Sequence, residues 1–159
     1  MLKNRFFILI GMVCLVAFVS CSKHNQILKS TDNEYKYNAA MYYYGQKDYN
    51  RALQLFDVLQ SAYRGKPQGE EIAYCTAECY YNMKDYNIAS HYYKRYVVNY
   101  PFAKNTESAL FRSACCYYLE SPNIELDQED SYLAIKEFQS FIDLYPQSNL
   151  VDSANKLID

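Results

Sequence analysis

Lys47-Asp48-Tyr49-Asn50 returns unchanged as Lys84-Asp85-Tyr86-Asn87, 37 residues further along the chain. The likeness extends on both sides: Ala40, Tyr43 and Tyr44 come back as Ala77, Tyr80 and Tyr81, and Ala52, Phe56, Leu59 and Tyr63 as Ala89, Tyr93, Tyr96 and Tyr100. A period of this size marks a solenoid, in which each unit lacks an adequate core alone and gains one by stacking on its neighbours. The same offset carries Ala77, Tyr80 and Tyr81 onto Ala114, Tyr117 and Tyr118. The second half of the third unit then slips: Ala134, Phe138, Phe141, Tyr145 and Pro146 reproduce Ala89, Tyr93, Tyr96, Tyr100 and Pro101 at an offset of 45. An insertion containing Ser121-Pro122-Asn123 and Leu126-Asp127-Gln128 separates the two halves of that unit.

Each unit reads as two helices. Thr31 and Glu34 form a capping-box start for the first, Gly45 or its equivalent Asn82 a stop, and Asp48 or Asp85 a cap for the second. Pro101 and Pro146 forbid continuation of the second helix. The small residues Ala40, Ala52, Ala77, Ala89, Ala114 and Ala134 let backbones approach while Tyr or Phe fills the adjoining groove. Enlarging Ala52 or Ala89 is expected to cost about 1–3 kcal/mol by overpacking. Gly and Pro number only four each, and no alternating run flanked by turn signals suggests a strand. From Thr31 to Asp159 the pattern resembles the tetratricopeptide repeat, with Arg64 standing where the first unit should close on Pro. The expected fold is therefore all-α, a tetratricopeptide-repeat superhelix (α-solenoid) of three helical hairpins plus a partial fourth. The units run at about 31–67, 68–104 and 105–147, with 148–159 beginning a fourth and then stopping, as in a piece of a longer protein.

The first 20 residues read differently. Lys3 and Arg5 precede an apolar run from Phe6 to Val19, which is shorter than the ~20 residues a membrane-spanning helix needs and fits the core of an export signal. Phe18-Val19-Ser20-Cys21 resembles a lipobox, with Phe18 where Leu is usual. Cleavage after Ser20 would expose Cys21 for acylation, and acyl chains contribute about 0.8 kcal/mol per buried methylene. Segments 1–20, 21–30 and 31–159 are thus a signal peptide, a polar spacer behind a lipidated Cys21, and the repeat domain. An incidental cysteine behind an ordinary signal is the competing reading. Ser22, with no acidic cluster up to Ser30, favours the outer membrane and its periplasmic face by resemblance to other lipoproteins.

Lipobox, spacer, repeats and the stretch from Ser121 to Ser148, with its Phe138-Gln139-Ser140-Phe141-Ile142-Asp143-Leu144-Tyr145-Pro146-Gln147-Ser148 ending, together resemble the BamD family of outer-membrane β-barrel assembly lipoproteins. The resemblance implies an adaptor that receives unfolded outer-membrane proteins and docks on the barrel-forming subunit BamA. In that family the N-terminal repeats are implicated in substrate capture and the C-terminal ones in docking. Two alternatives remain open on the residues: a SusD-like glycan-binding lipoprotein, which is longer and usually Trp-rich, and a periplasmic envelope scaffold with the same repeats.

Nineteen Tyr and no Trp supply flat apolar bodies with polar tips, suited to faces that meet both core and water. Residues seven apart on a helix share one stripe, so Tyr37 with Tyr44, Tyr74 with Tyr81, and Phe111 with Tyr118 are expected to line a peptide-binding groove in register across the units. The same spacing serves an inter-repeat core, and the pattern alone does not choose; Tyr43, Tyr80 and Tyr117 are assigned to the core.

Chemistry of other kinds finds little footing. The net charge is −2, more negative once Lys3 and Arg5 are lost, which offers no footprint for nucleic acid. His24 and His91 are the only histidines, and no phosphate-cradling Gly loop occurs, so neither a catalytic triad nor a cofactor is expected. Cys75, Cys79, Cys115 and Cys116 lack the turn spacing of structural zinc, and parallel stacked helices rarely bring them into disulfide range; they are read as small packing residues. The acidic cluster Asp127, Glu129 and Asp130 lacks calcium-loop spacing and reads as helix capping. No metal site is expected.

Overall fold

A computed structural model of the chain describes residues 23–120 and 128–158. The expected leader, Cys21 and the insertion at 121–127 lie outside these residues. Every regular element described is a helix: α1 (23–29), α2 (Asn33–Gly45), α3 (Tyr49–Leu59), α4 (Pro67–Asn82), α5 (Tyr86–Asn99), α6 (Thr106–Glu120), α7 (Gln128–Leu144) and α8 (Val151–Ile158). They form successive helical hairpins, α2 with α3, α4 with α5 and α6 with α7, followed by α8. This is the tetratricopeptide type of α-solenoid that the period implies. The chain divides into two compact units, one up to Leu59 and one from Gln60.

In the first unit, Ala52, Leu55, Phe56 and Leu59 make an i, i+3, i+4, i+7 stripe on α3, and all four are fully buried, as is Ala40 on α2. Within the stretch read as a polar spacer, residues 23 to 29 are helical, with two inward positions: Ile27 is buried, and His24 lies edge-on to the Tyr43 ring and within 2.8 Å of the Gln54 side chain.

In the second unit α5 packs between α4 and α6, α6 between α5 and α7, and α8 against α7. One core gathers Ala77, Ala89, Tyr93, Tyr96, Ala109 and Cys116; the next gathers Ala114, Phe138, Phe141 and Ala154. The alanines at these crossings are fully buried, so each marks a place where a neighbouring helix or ring sits directly on the backbone.

Helix starts and stops depart from expectation in detail. Asp32, not Thr31, caps α2, its carboxylate accepting the Tyr35 N–H at 2.9 Å, while Ser30 Oγ accepts the Asp32 N–H. Asp48 does cap α3, accepting the Arg51 N–H at 3.3 Å and pairing with the Arg51 guanidinium at 3.0 Å; Asp85 makes no side-chain cap on α5. The stop signals lie slightly further on than Gly45 and Asn82. Lys47 and Lys84, the first residues of the repeated string, take the left-handed conformation with φ of 61° and 66°. Their own N–H groups bond to Tyr44 and Tyr81 carbonyls, and those of Asp48 and Asp85 reach back to Tyr43 and Tyr80. That is the double-bonded helix terminus usually given to glycine. Each lysine carries a left-handed cost of about 1–2 kcal/mol that glycine would not.

Ahead of α4, Gly65 takes φ of 76° to turn the chain into that helix, which starts on Pro67. Gly69, in the first turn of α4, lies so close to the Tyr63 backbone carbonyl that a Cβ there would collide with it. Lys84→Gly should raise the stability measured by urea unfolding by about 0.5–1 kcal/mol, since relief of backbone strain outweighs the added chain entropy of glycine. Gly69→Ala should lower it by about 2 kcal/mol or more, because the obstacle is backbone and not a movable side chain; equal stability of the alanine variant would show that the 63–69 turn can shift freely.

Candidate functional site

Aromatic and polar side chains are most connected in the second unit, where α4 and α6 are bridged through side chains beside α5. Glu78, on α4, is only 7% exposed. Its carboxylate accepts a hydrogen bond from the Tyr93 hydroxyl of α5 and lies 3.1 Å from Arg112 Nε of α6. Arg112 in turn spreads over the Tyr81 ring, 4.7 Å from its centroid. Tyr74 adds a second bridge, its hydroxyl 3.3 Å from Ser108 Oγ of α6. A charge this enclosed persists only if paired and hydrogen-bonded, and here one guanidinium and one phenol supply both.

The electrostatics follow from burial. Burial first, then the adjacent Glu78 carboxylate, push the Tyr93 phenol far above its ordinary range, so it stays protonated and donates to that carboxylate. Tyr74 and Tyr81 are raised mainly by burial as well. For Arg112 burial works against the charge, and the Glu78 carboxylate, with neighbouring phenols, more than compensates, so the guanidinium is held charged above its usual value. The thiols of Cys75, Cys79 and Cys116 are pushed up to about 12 and that of Cys115 to about 11, in each case chiefly by burial. All four are unpaired, and thiols this hard to ionise are poor nucleophiles and poor metal ligands.

The expected groove residues fall into distinct environments. Tyr74 packs edge-on to Tyr93 and Tyr96, Tyr81 to Tyr86 and Tyr93, and Phe111 against Phe138 and Phe141. All three are half-buried, with ring bodies on the core and one edge left toward the surface. Tyr118 is 46% exposed near the end of α6. In the first unit Tyr37 is half-buried on α2, and Tyr44 turns to the Tyr49 ring. The packing alanines Ala40, Ala52, Ala77, Ala89 and Ala114 are fully buried, and Ala134 nearly so. Of the residues assigned to the core, Tyr80 stacks on Tyr92 and Tyr117 lies under the Lys94 ammonium, which also pairs with Glu137 at 2.7 Å.

Sequence reasoning missed two things. The first is the Glu78–Arg112 pair, although the repeat flags Glu78: Met41 and Cys115 occupy its equivalent places, so one carboxylate stands alone in an otherwise apolar column. The second is a cleft of about 360 Å3 in the first unit, lined by α1 and α2 with Tyr35, Tyr42, Tyr43, Lys23 and Arg51 around it. Tyr35 and Tyr42, seven apart, are the exposed pair on α2, while Tyr37 and Tyr44 are half-buried.

Helical hairpins with half-buried tyrosines and a paired guanidinium define a helical-repeat protein, and no group of potential metal ligands occurs among the described residues. A family model described as YfiO, outer membrane lipoprotein, matches residues 29–159, and the chain belongs to that family, the one to which the BamD resemblance pointed. No curated protein matches it. Among the described residues, no helix is long and apolar enough to cross a membrane.

The Glu78–Arg112 pair should show strong coupling. Arg112→Gln strands a buried carboxylate and should cost about 2 kcal/mol, discounted from the fully buried case because the guanidinium is partly solvated. Adding Glu78→Gln should recover part of that loss in thermal or urea unfolding. Strictly additive losses would mean that the two side chains do not interact.

Proposed function

We propose that this chain is a periplasm-facing lipoprotein adaptor of outer-membrane β-barrel assembly, held by acyl groups on Cys21 after removal of residues 1–20. It binds substrate or partner polypeptide along the tyrosine-bearing faces of its repeats, with unfolded outer-membrane proteins as substrates and BamA as the docking partner. It works by holding and not by bond chemistry, and needs no cofactor.

The observation that carries this reading is membership of the YfiO outer membrane lipoprotein family over the whole repeat region. The side-chain arrangement supports it physically. A half-buried tyrosine loses little entropy when a ligand covers its exposed edge, because packing already fixes the ring. Extended segments of barrel proteins, rich in aromatics, gain apolar contact from such edges while the phenol hydroxyls and the Arg112 guanidinium meet peptide carbonyls.

Binding of a peptide from the C-terminal strand of a barrel protein tests the reading together with thermal unfolding. Tyr118→Ser, at an exposed position, is expected to weaken binding about five- to tenfold with an unchanged melting temperature, as loss of one aromatic contact worth roughly 1–1.5 kcal/mol. Tyr81→Ser is expected to lose both affinity and stability. Unchanged affinity in both variants, or failure of BamA to co-purify with the acylated protein from solubilised outer membranes, would overturn the assignment.

A further inference from the structure

A second cleft, of about 510 Å3, lies in the second unit, between the turn at 60–66 with the start of α4 and the C-terminal end of α5. Arg64, Arg95 and Asn99 line it, and no acidic side chain does. Arg64 and Arg95 are both exposed, the Arg95 guanidinium carbon lying over the Tyr92 ring, 4.4 Å from its centroid. Glu70, the carboxylate next in sequence to the lining residue Gly69, is turned to the Tyr96 hydroxyl at 3.2 Å.

Directly beside the residues that line this cleft stand the two most exposed apolar side chains described. Val98, next to Asn99, is 77% exposed, and Phe102, in the turn after α5, is 100% exposed. Folding does not account for them, since neither contributes to a core. Exposed Lys66 and Lys104 flank them on the two adjoining turns.

We infer that this end of the second unit seats on a phospholipid surface, with Phe102 and Val98 entering the headgroup boundary and an anionic headgroup phosphate held between Arg64 and Arg95. Charge complementarity selects the occupant: guanidinium groups pair with phosphate oxygens in a fixed fork geometry, and exposed apolar side chains near basic residues suit the headgroup boundary. A phospholipid leaflet is at hand, because the family is one of outer membrane lipoproteins. The seat is a contact made by the folded domain itself, additional to any acyl group, and it does not depend on the polypeptide-binding reading. It would hold the domain against the membrane in a set orientation.

The absence of Trp from the chain allows a clean test. The full chain carrying Phe102→Trp is placed on vesicles of phosphatidylcholine alone or mixed with phosphatidylglycerol, some bearing brominated acyl chains. The expected result is a blue-shifted emission, quenched by bromine, on the phosphatidylglycerol vesicles only. Adding Arg64→Gln and Arg95→Gln should lower the docking equilibrium roughly 25-fold, at about a factor of five for each surface cation lost, with thermal unfolding unchanged. Leu144→Trp, exposed at the end of α7, should show no shift. The inference is overturned if the emission of the Phe102→Trp variant ignores phosphatidylglycerol, if the double arginine variant responds equally, or if position 144 responds as strongly. It is likewise overturned if inorganic phosphate or an acidic polypeptide such as polyglutamate reproduces the shift without vesicles.

Discussion

Everything in this fold depends on helices being able to lie close enough for one aromatic ring to serve two of them. Ala77, Ala89, Ala109 and Ala114 have no exposed surface, and the rings of Tyr93, Tyr96, Phe138 and Phe141 occupy the grooves that those small residues leave. Close packing at crystal-like density makes the arrangement intolerant of added volume at the alanines and of lost volume at the rings. The recurrence at 37 residues is therefore the recurrence of a packing contact: small residue on one helix, large ring on the next.

This contact explains what could be read from the residues. The hairpins and their helical character follow from the repeated alanines and aromatics, and the slipped third unit is visible as a change of offset. What escapes such a reading is set by neighbours that no local pattern encodes. Residues 23–29 look like a polar tether because only His24 and Ile27 of that stretch face inward. Tyr37 and Tyr44 look equivalent to Tyr35 and Tyr42 until packing exposes the latter pair. Lysine at the helix terminus defies the glycine rule because a two-bond turn can impose φ above 60° on a residue that would avoid it. For the candidate groove, the rings of Tyr74, Tyr81 and Phe111 are divided between interior and surface, so the two readings of their spacing are not exclusive.

The preference for Tyr over Phe has a physical reason in the second unit. Tyr93 and Tyr96 are almost wholly interior, yet each hydroxyl finds a carboxylate, Glu78 and Glu70 respectively, and Tyr74 reaches Ser108. Phenylalanine would fill the same grooves and leave Glu78 with one partner fewer. Tyrosine thus packs the interior and also offsets the cost of acids placed there, which a purely apolar ring cannot do. Glu78, a lone carboxylate in an otherwise apolar repeat column, stands where a phenol meets it.

The link from Glu78 to Arg112 joins helices that are not consecutive. Linear arrays of repeats ordinarily fray from their ends, each hairpin sensing only the one beside it. A tie that passes alongside α5 makes the opening of the middle hairpin uncover an acid that the following hairpin's guanidinium was neutralising, so the two hairpins lose order as a single block. The central tyrosine face of the second unit then stays rigid through the thermal excursions that would loosen an array coupled only step by step.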